Sequence, residues 1–171
     1  MVYFLARCAN EIPEFRWRIR NGVVVEHEAI RPSFTVPTDA SDVFSFCTVP
    51  YSPDFQCFVR TATEIQERMR TEPSFEDEPG CDDYFFMSSM PWIGFTSVGY
   101  AMGDPAKDSV PRVTWGRVEE KDGQQLMPLS IQAHHAVING YHMGLLFQYL
   151  ERAMASPGAF VVDKNFLLRS P

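Results

Sequence analysis

Residues 54–70 contain neither Pro nor Gly, and Phe55, Phe58, Val59, Ala62, Ile65 and Met69 recur there every three or four positions. A strand cannot use that spacing, because its side chains alternate every two residues. The stretch therefore predicts an amphipathic helix facing a core. On either side of it the period drops to two. Phe15–Ile19 alternates, Asn21-Gly22 marks a tight hairpin turn, and Val23–Val25 reads as the returning strand. Further short strands are predicted over Ser33–Val36, Val43–Val49, Tyr84–Ser88, Phe95–Tyr100, Val113–Val118 and Leu126–Ala133. Lys121-Asp122-Gly123 turns the chain between the last two. Helical spacing returns near both ends, through Val2, Leu5, Cys8, Ala9 and Ile12, and through Tyr141–Ala155, which Pro157-Gly158 closes. The first of these helices has no capping residue before it, so its pattern opens in mid-helix, as though upstream chain belonged to it. Thr71–Asp83, rich in Pro, Gly, Glu and Asp, reads as a surface loop. Strands interspersed with two or three helices imply one mixed α/β domain over residues 1–158. Residues 159–171 form a tail with no evident partner.

Charge and cysteine spacing exclude several classes of function. Net charge is −7, from 22 acidic against 15 basic residues, which argues against non-specific nucleic-acid binding. Cys8, Cys47, Cys57 and Cys81 show no Cys-x-x-Cys spacing, so neither a metal nor a redox motif is expected. Residues 1–11 lack the basic start and small-residue cleavage site of a signal peptide. No apolar run approaches the ~18 residues that span a bilayer. The expectation is a cytoplasmic protein with free thiols.

Two adjacent imidazoles carry the chemical signal. His134 and His135 fall where a predicted strand ends and a helix starts. Neighbouring strand positions point opposite ways, so one ring is expected to face the core and the other a cleft. A buried His is ordinarily a hydrogen-bonded core residue, which is the expectation for His134; His27 and His142 fit the same description. A metal site built from His134, His135 and His142 would lack an i,i+4 pair and a carboxylate, so no metal is expected.

The run from Met127 to Gly144 reads Met-Pro-Leu-Ser-Ile-Gln-Ala-His-His-Ala-Val-Ile-Asn-Gly-Tyr-His-Met-Gly. It resembles the signature of the chloramphenicol acetyltransferase family, His-His-Ala-Val-x-Asp-Gly-x-His. The resemblance continues through Pro13-Glu14-Phe15-Arg16, Phe34-Thr35-Val36, Met87-Ser88-Ser89-Met90-Pro91-Trp92, Phe95-Thr96-Ser97 and Pro111-Arg112-Val113-Thr114. It covers residues 2–155. The His motif alone also fits dihydrolipoyl acyltransferases, which carry Asp-His-Arg where this chain has His-His-Ala.

The resemblance implies an α/β fold of the CoA-dependent acyltransferase type, a mixed β-sheet flanked by helices. It implies transfer of acetyl from acetyl-CoA, a cosubstrate rather than a bound cofactor, to a hydroxyl of chloramphenicol, inactivating the antibiotic. An alcohol is a poor nucleophile at neutral pH, so an imidazole must accept its proton during attack; His135 matches that base. The tetrahedral intermediate needs a donor at its oxyanion, and Ser88 matches the hydroxyl that provides it. Thr114 matches a threonine that holds a water beside the intermediate. Phe44 and Phe75 match aromatics of the antibiotic pocket, and Arg117 replaces a lysine near the CoA channel. Asn139 and Gly140 occupy the turn after the histidines. Members of the family are trimers with active sites between subunits, so a homotrimer is expected here, with no nucleic-acid or membrane partner.

Several positions depart from the pattern. Family chains begin well upstream of these motifs, and that part contributes pocket residues and an arginine that pairs with the motif aspartate. Here the aspartate is Asn139, which needs hydrogen bonds but no cation. Unless Arg16 or Arg18 takes the arginine's place, Asn139→Asp is expected to bury an unpaired carboxylate, at a cost on the order of 1–3 kcal/mol. Arg112 stands where the family is apolar, Phe46 replaces a small residue, and Val118 replaces a tyrosine. A guanidinium in such a pocket is expensive unless it is paired or solvent-facing. Two alternatives follow: an acyltransferase for another hydroxylated compound, or a catalytically silent truncated relative.

Overall fold

The computed structural model describes residues 1–39, 42–101, 104 and 108–168. Five strands form the main sheet: β3 (Arg31–Pro37), β4 (Phe44–Thr48), β5 (Tyr84–Met90), β6 (Arg112–Gly116) and β9 (Leu129–Gln132), in the order β4-β3-β5-β6-β9. The three central strands are parallel, and β4 and β9 flank them antiparallel. The sheet is therefore mixed, as the resemblance implied. Two hairpins stand apart from it, β1 (Trp17–Arg20) with β2 (Val23–Glu26), and β7 (Glu119–Lys121) with β8 (Gln124–Leu126). Their turns use Asn21 and Gly22 at φ 51° and 77°, and Asp122 and Gly123 at φ 53° and 76°. Two successive positive φ values give the turn whose twist matches paired strands.

The register separates the sheet into two unlike faces, since strand side chains alternate. One face carries Cys47, Phe34 and Val36, Phe85 and Met87, Val113 and Trp115, and Leu129 and Ile131, all in the hydrophobic core or packed against it. Two helices pack on it, α1 (Val2–Asn10) and α2 (Phe55–Thr71), and a third, α3 (Gly140–Ala155), packs against α1. The predicted helix over 54–70 is α2, opened by Asp54, whose carboxylate accepts from the Cys57 amide at 2.7 Å. Phe58 is buried on it, whereas Val59, expected to face the core, is exposed. The opposite face of the sheet carries Phe46, Ser33 and Thr35, Phe86 and Ser88, Arg112 and Thr114, and Ser130 and Gln132. No helix covers that face among the described residues, and the candidate site lies there.

Three predicted elements change. Phe95–Tyr100 is not a strand. The Ser130 hydroxyl donates to the Val98 carbonyl at 2.9 Å, and the Gln132 side chain accepts from the Tyr100 amide at 2.8 Å and donates to its carbonyl at 3.3 Å. Ser130 and Gln132 both point from the open face, so the segment crosses that face, and side chains replace the backbone ladder. Leu126–Ala133 divides into β8 and β9 at Met127-Pro128, where proline has no N–H for pairing. The strand predicted to reach Val118 stops at Gly116. A Cβ there would lie 2.6 Å from the Ile93 carbonyl and 2.9 Å from Phe95, so only glycine lets that segment pass.

The residues after Ala155 are not a loose tail. Pro157 starts a helix, α4 (Pro157–Val162), as its fixed φ and absent N–H allow at a first helical position. Phe160 is fully buried, and Leu167 nearly so. Arg7 of α1, 1% exposed, donates to the carbonyls of Phe160 and, at 2.6 Å, Asp163, and its guanidinium lies 4.3 Å from the centroid of the Phe160 ring. A cation thus satisfies the carbonyl end of α4. Of the predicted tail, residues 169–171 lie outside the described residues.

Candidate active site

Ser88 lies on β5 with Thr114 of β6 as its register partner, and Thr114 in turn faces Ser130 of β9. Three hydroxyls therefore cross the open face in one row. Ser88 is half-buried and lines a cavity of about 370 Å³ with Thr35, Phe46, Asp77, Phe86, Tyr100 and Arg112. Thr114 is fully buried, and its hydroxyl is hydrogen-bonded to that of Tyr100. Tyr100 reaches this position because Gln132 holds its backbone.

Arg112 answers the question its charge raised. Its guanidinium is paired with Asp108 at 2.6 and 3.2 Å, donates to the Val110 carbonyl, and lies over the Phe86 ring at 5.4 Å. Partial burial pushes the Asp77 carboxyl above the usual carboxylate range, with Arg112 opposing the shift.

The histidines occupy the turn between β9 and α3. The His134 carbonyl accepts from the amides of Val137 and Ile138, whose side chains are buried and anchor the turn. His134 itself is half-buried, and its Nδ1 accepts from the Ala136 amide at 3.2 Å. His135 is exposed at the tip of the turn and is not among the residues lining the Ser88 cavity of its own chain. Asn139, also exposed, is the N-cap of α3. Its side-chain oxygen accepts from the amides of Tyr141 and His142 at 2.9 and 3.3 Å. The position is thus a solvent-facing cap and not a buried site for a carboxylate. Arg16 and Arg18 do not reach it. Arg16 pairs with Glu26, while Arg18, fully buried, donates to the carbonyls of Phe15, Trp17, Asp82 and Tyr84. Burial lowers the Arg18 pKa to about 10, so the group stays charged at neutral pH.

Comparison with known proteins gives this arrangement a family. Residues 1–151 match the family model described as chloramphenicol acetyltransferase. The chain belongs to the chloramphenicol acetyltransferase family. It is 31% identical over 150 residues to a chloramphenicol acetyltransferase of Bacillus pumilus, a match covering 87% of this chain and 68% of the relative. A solved chloramphenicol acetyltransferase superposes with a TM-score of 0.75 at 26% identity, over 87% of this chain and 73% of that one. The cubic core of the pyruvate dehydrogenase multienzyme complex shares the fold, with a TM-score of 0.65 at 21% identity over 93% and 69% of the two chains. Membership of the chloramphenicol acetyltransferase family makes the protein an acetyltransferase enzyme.

The remaining sequence-derived site residues of this acetyltransferase are spread around the open face. Phe44 is exposed, with its ring 5.8 Å from that of Phe46, and lines a neighbouring cleft with Ser89 and Trp92. Phe75 is exposed on the loop before β5 and is not among the residues lining the Ser88 cavity. Arg117 lines a separate groove with Phe95, Thr96 and Lys121, and pairs with Glu119 at 2.6 Å. Sequence reading missed Tyr100, Asp77 and Asp108. The first sits in a segment read as a strand, the second in the acidic loop, and the third just before the Pro111-Arg112 motif. Among the described residues no group of three or more His, Cys, Asp or Glu side chains could hold a metal ion, and no helix is long and apolar enough to cross a membrane. All four cysteines are free, and burial pushes the Cys8 thiol up to about 12 and that of Cys47 to about 11.

Proposed function

We propose that the protein transfers acetyl from acetyl-CoA to a hydroxyl of chloramphenicol in the cytoplasm, and so inactivates the antibiotic. The observation that carries this is the Ser88–Thr114 row at the cavity on the open face of the sheet. His135 takes the proton of the acceptor hydroxyl as its oxygen attacks the thioester carbonyl. Negative charge then collects on the carbonyl oxygen, where the Ser88 hydroxyl donates to it. Collapse of the tetrahedral intermediate expels the CoA thiolate, which recovers a proton from the His135 imidazolium. Thr114 acts here through Tyr100, whose hydroxyl it holds at the cavity. Asn139 and Gly140 start α3 and fix where the His135 turn ends.

His135 and the Ser88 cavity are separate within one chain, and two copies resolve this. In a homotrimer the exposed turn of one protomer enters the open face of the next. Phe44 and Phe75, both exposed, are then available to enclose the acceptor. Arg117 and Lys121, in one groove, supply positive charge for the phosphates of acetyl-CoA.

A second reading, another hydroxylated acceptor, is favoured by the Arg112–Asp108 pair and by Phe46 in the cavity wall. Release of free CoA thiol from acetyl-CoA, followed with chloramphenicol and with other hydroxylated antibiotics, separates the readings. Chloramphenicol-dependent release is expected. Release only with a different alcohol transfers the assignment to the second reading. No release with any acceptor identifies a silent relative.

A further inference from the structure

The hydrogen bond between Thr114 and Tyr100 has a direction that burial decides. Thr114 is fully buried, and among the described residues its hydroxyl has one partner, the Tyr100 hydroxyl. Each hydroxyl carries one proton and two lone pairs. If Tyr100 donated, the Thr114 proton would be buried without an acceptor, at the full desolvation cost of an unmade bond. If Thr114 donates, its proton is satisfied and only lone pairs are left over, which buried groups tolerate better. Thr114 is therefore the donor and Tyr100 the acceptor.

The phenolic proton is then available to a ligand. Tyr100 is half-buried and shares the cavity wall with Ser88. Thr114 and Ser88 are register partners on adjacent strands, whose spacing is about 4.8 Å. The phenol thus stands one hydrogen bond from the side chain beside Ser88. Its backbone is fixed, because Gln132 accepts from the Tyr100 amide at 2.8 Å and donates to its carbonyl at 3.3 Å. A donor held in place beforehand need not reorganise as charge develops, and so stabilises it effectively. The bond from Thr114 also polarises the phenolic O–H, since hydroxyls in a chain strengthen one another.

We propose that the Tyr100 hydroxyl is a second oxyanion donor, converging with Ser88 on the thioester carbonyl oxygen as it becomes negative. Tyr100 keeps its proton throughout and contributes only a hydrogen bond. The inference rests on the acetyl-transfer reading and adds to it a catalytic residue from the segment that crosses the open face.

If Tyr100 only satisfied Thr114, its variants would behave differently. Thiol release from acetyl-CoA, with chloramphenicol varied, gives kcat and KM for the wild type, Tyr100→Phe, and Tyr100→Phe combined with Thr114→Val. Denaturant unfolding gives their midpoints. Tyr100→Phe should lower kcat about tenfold to a hundredfold and leave KM within about twofold, because Ser88 still holds the oxyanion. It should also lower the unfolding midpoint, by stranding the Thr114 proton. Adding Thr114→Val removes that proton, and should restore the midpoint without restoring kcat. Recovery of kcat together with stability would overturn the proposal in favour of a structural role. A midpoint that Thr114→Val does not restore would show that Thr114 is not the donor, and would overturn it too. An unchanged kcat, or a change confined to KM, rejects the oxyanion role while leaving acetyl transfer intact. No release by the wild type with any hydroxylated acceptor rejects the acetyl-transfer reading, and the role of Tyr100 with it.

Discussion

Asn139 and His142 cap each other across the first turn of α3. The Asn139 side-chain oxygen accepts from the His142 amide, and His142 Nδ1 accepts in return from the Asn139 amide at 3.3 Å. Its other ring nitrogen faces Glu14 at 3.5 Å. The chain therefore braces the end of the His135 turn with an amide, an imidazole and a carboxylate, where the family pattern has aspartate and arginine. The brace resembles a capping box in which histidine plays the usual glutamate's part.

Removing the cap should loosen that turn. Asn139→Ala is expected to cost about 1 kcal/mol, as at other helix N-caps. Asn139→Asp should hold the stability of the wild type at neutral pH, since the position is exposed and a carboxylate accepts the same amides beside the positive end of the helix. Those amides lower the folded pKa of the new carboxyl below its unfolded value. The benefit is therefore present above the unfolded pKa and lost as pH falls through the folded one. Thermal melts at neutral and acidic pH check this, and a clear loss at neutral pH would contradict the cap.

His135→Ala should abolish acetyl transfer and change stability by no more than about 0.5 kcal/mol, because the side chain is exposed at a turn. His134→Ala should cost about 0.5–1.5 kcal/mol, since it removes the acceptor of the Ala136 amide. Paired melts and thiol-release rates distinguish the two. Activity retained by His135→Ala would remove it as the base.

Ser88→Ala should lower kcat by about two to three orders of magnitude with little change in KM, as expected of a donor that binds the oxyanion more tightly than the ground state. A change confined to KM would assign Ser88 to ground-state binding.

Local signals were legible wherever a few adjacent residues decide the outcome. Asn21-Gly22 and Asp122-Gly123 adopt the backbone their types favour, and Asp54 caps α2 where the helical period begins. Distant partners were not legible. Phe95–Tyr100 has the period of a strand, but its hydrogen bonds go to side chains more than thirty positions away. Phe160 is buried because Arg7, at the other end of the chain, satisfies the α4 carbonyls. The site shows the same division. Ser88 and Thr114 could be named from their motifs, whereas Tyr100 and Asp77 join the cavity only through the crossing of the open face and the fold of the acidic loop.

Acid should weaken the junction between the β1–β2 hairpin, β3 and β5. Hydrogen bonds from Arg20 hold the Asp82 carboxyl below its usual range, against partial burial and with help from His27. Hydrogen bonding to Arg31 does the same for Glu78. Folded pKa values below the unfolded ones mean stability that is present above the ordinary carboxylate range and lost as pH falls through the folded values. Melts from neutral to acidic pH should show a steep loss below about pH 4. The loss should be shallower in Arg20→Gln and Arg31→Gln, and an unaltered slope in both would show that these pairs carry no linkage.

Truncation after Ala155 provides the strongest test of the packed C-terminal segment. It removes Phe160, whose ring lies 4.7 Å from Phe4 and 5.5 Å from Phe166, and both carbonyls that accept from Arg7. Phe160→Ala alone should cost about 3–5 kcal/mol, the usual range for emptying a buried aromatic site. Truncation should cost at least as much, because it also takes from the partly desolvated Arg7 guanidinium the two carbonyls that accept from it. Arg7→Met then gives a result that depends on the background. In the full chain it should destabilise, by stripping the α4 carbonyls of their donor. In the truncated chain it should stabilise, by removing a charge that has lost both of those carbonyls. Denaturant unfolding of the four variants completes the cycle, provided the slopes agree. A truncated chain that unfolds at the same midpoint as the full one would show that the segment contributes nothing to the fold.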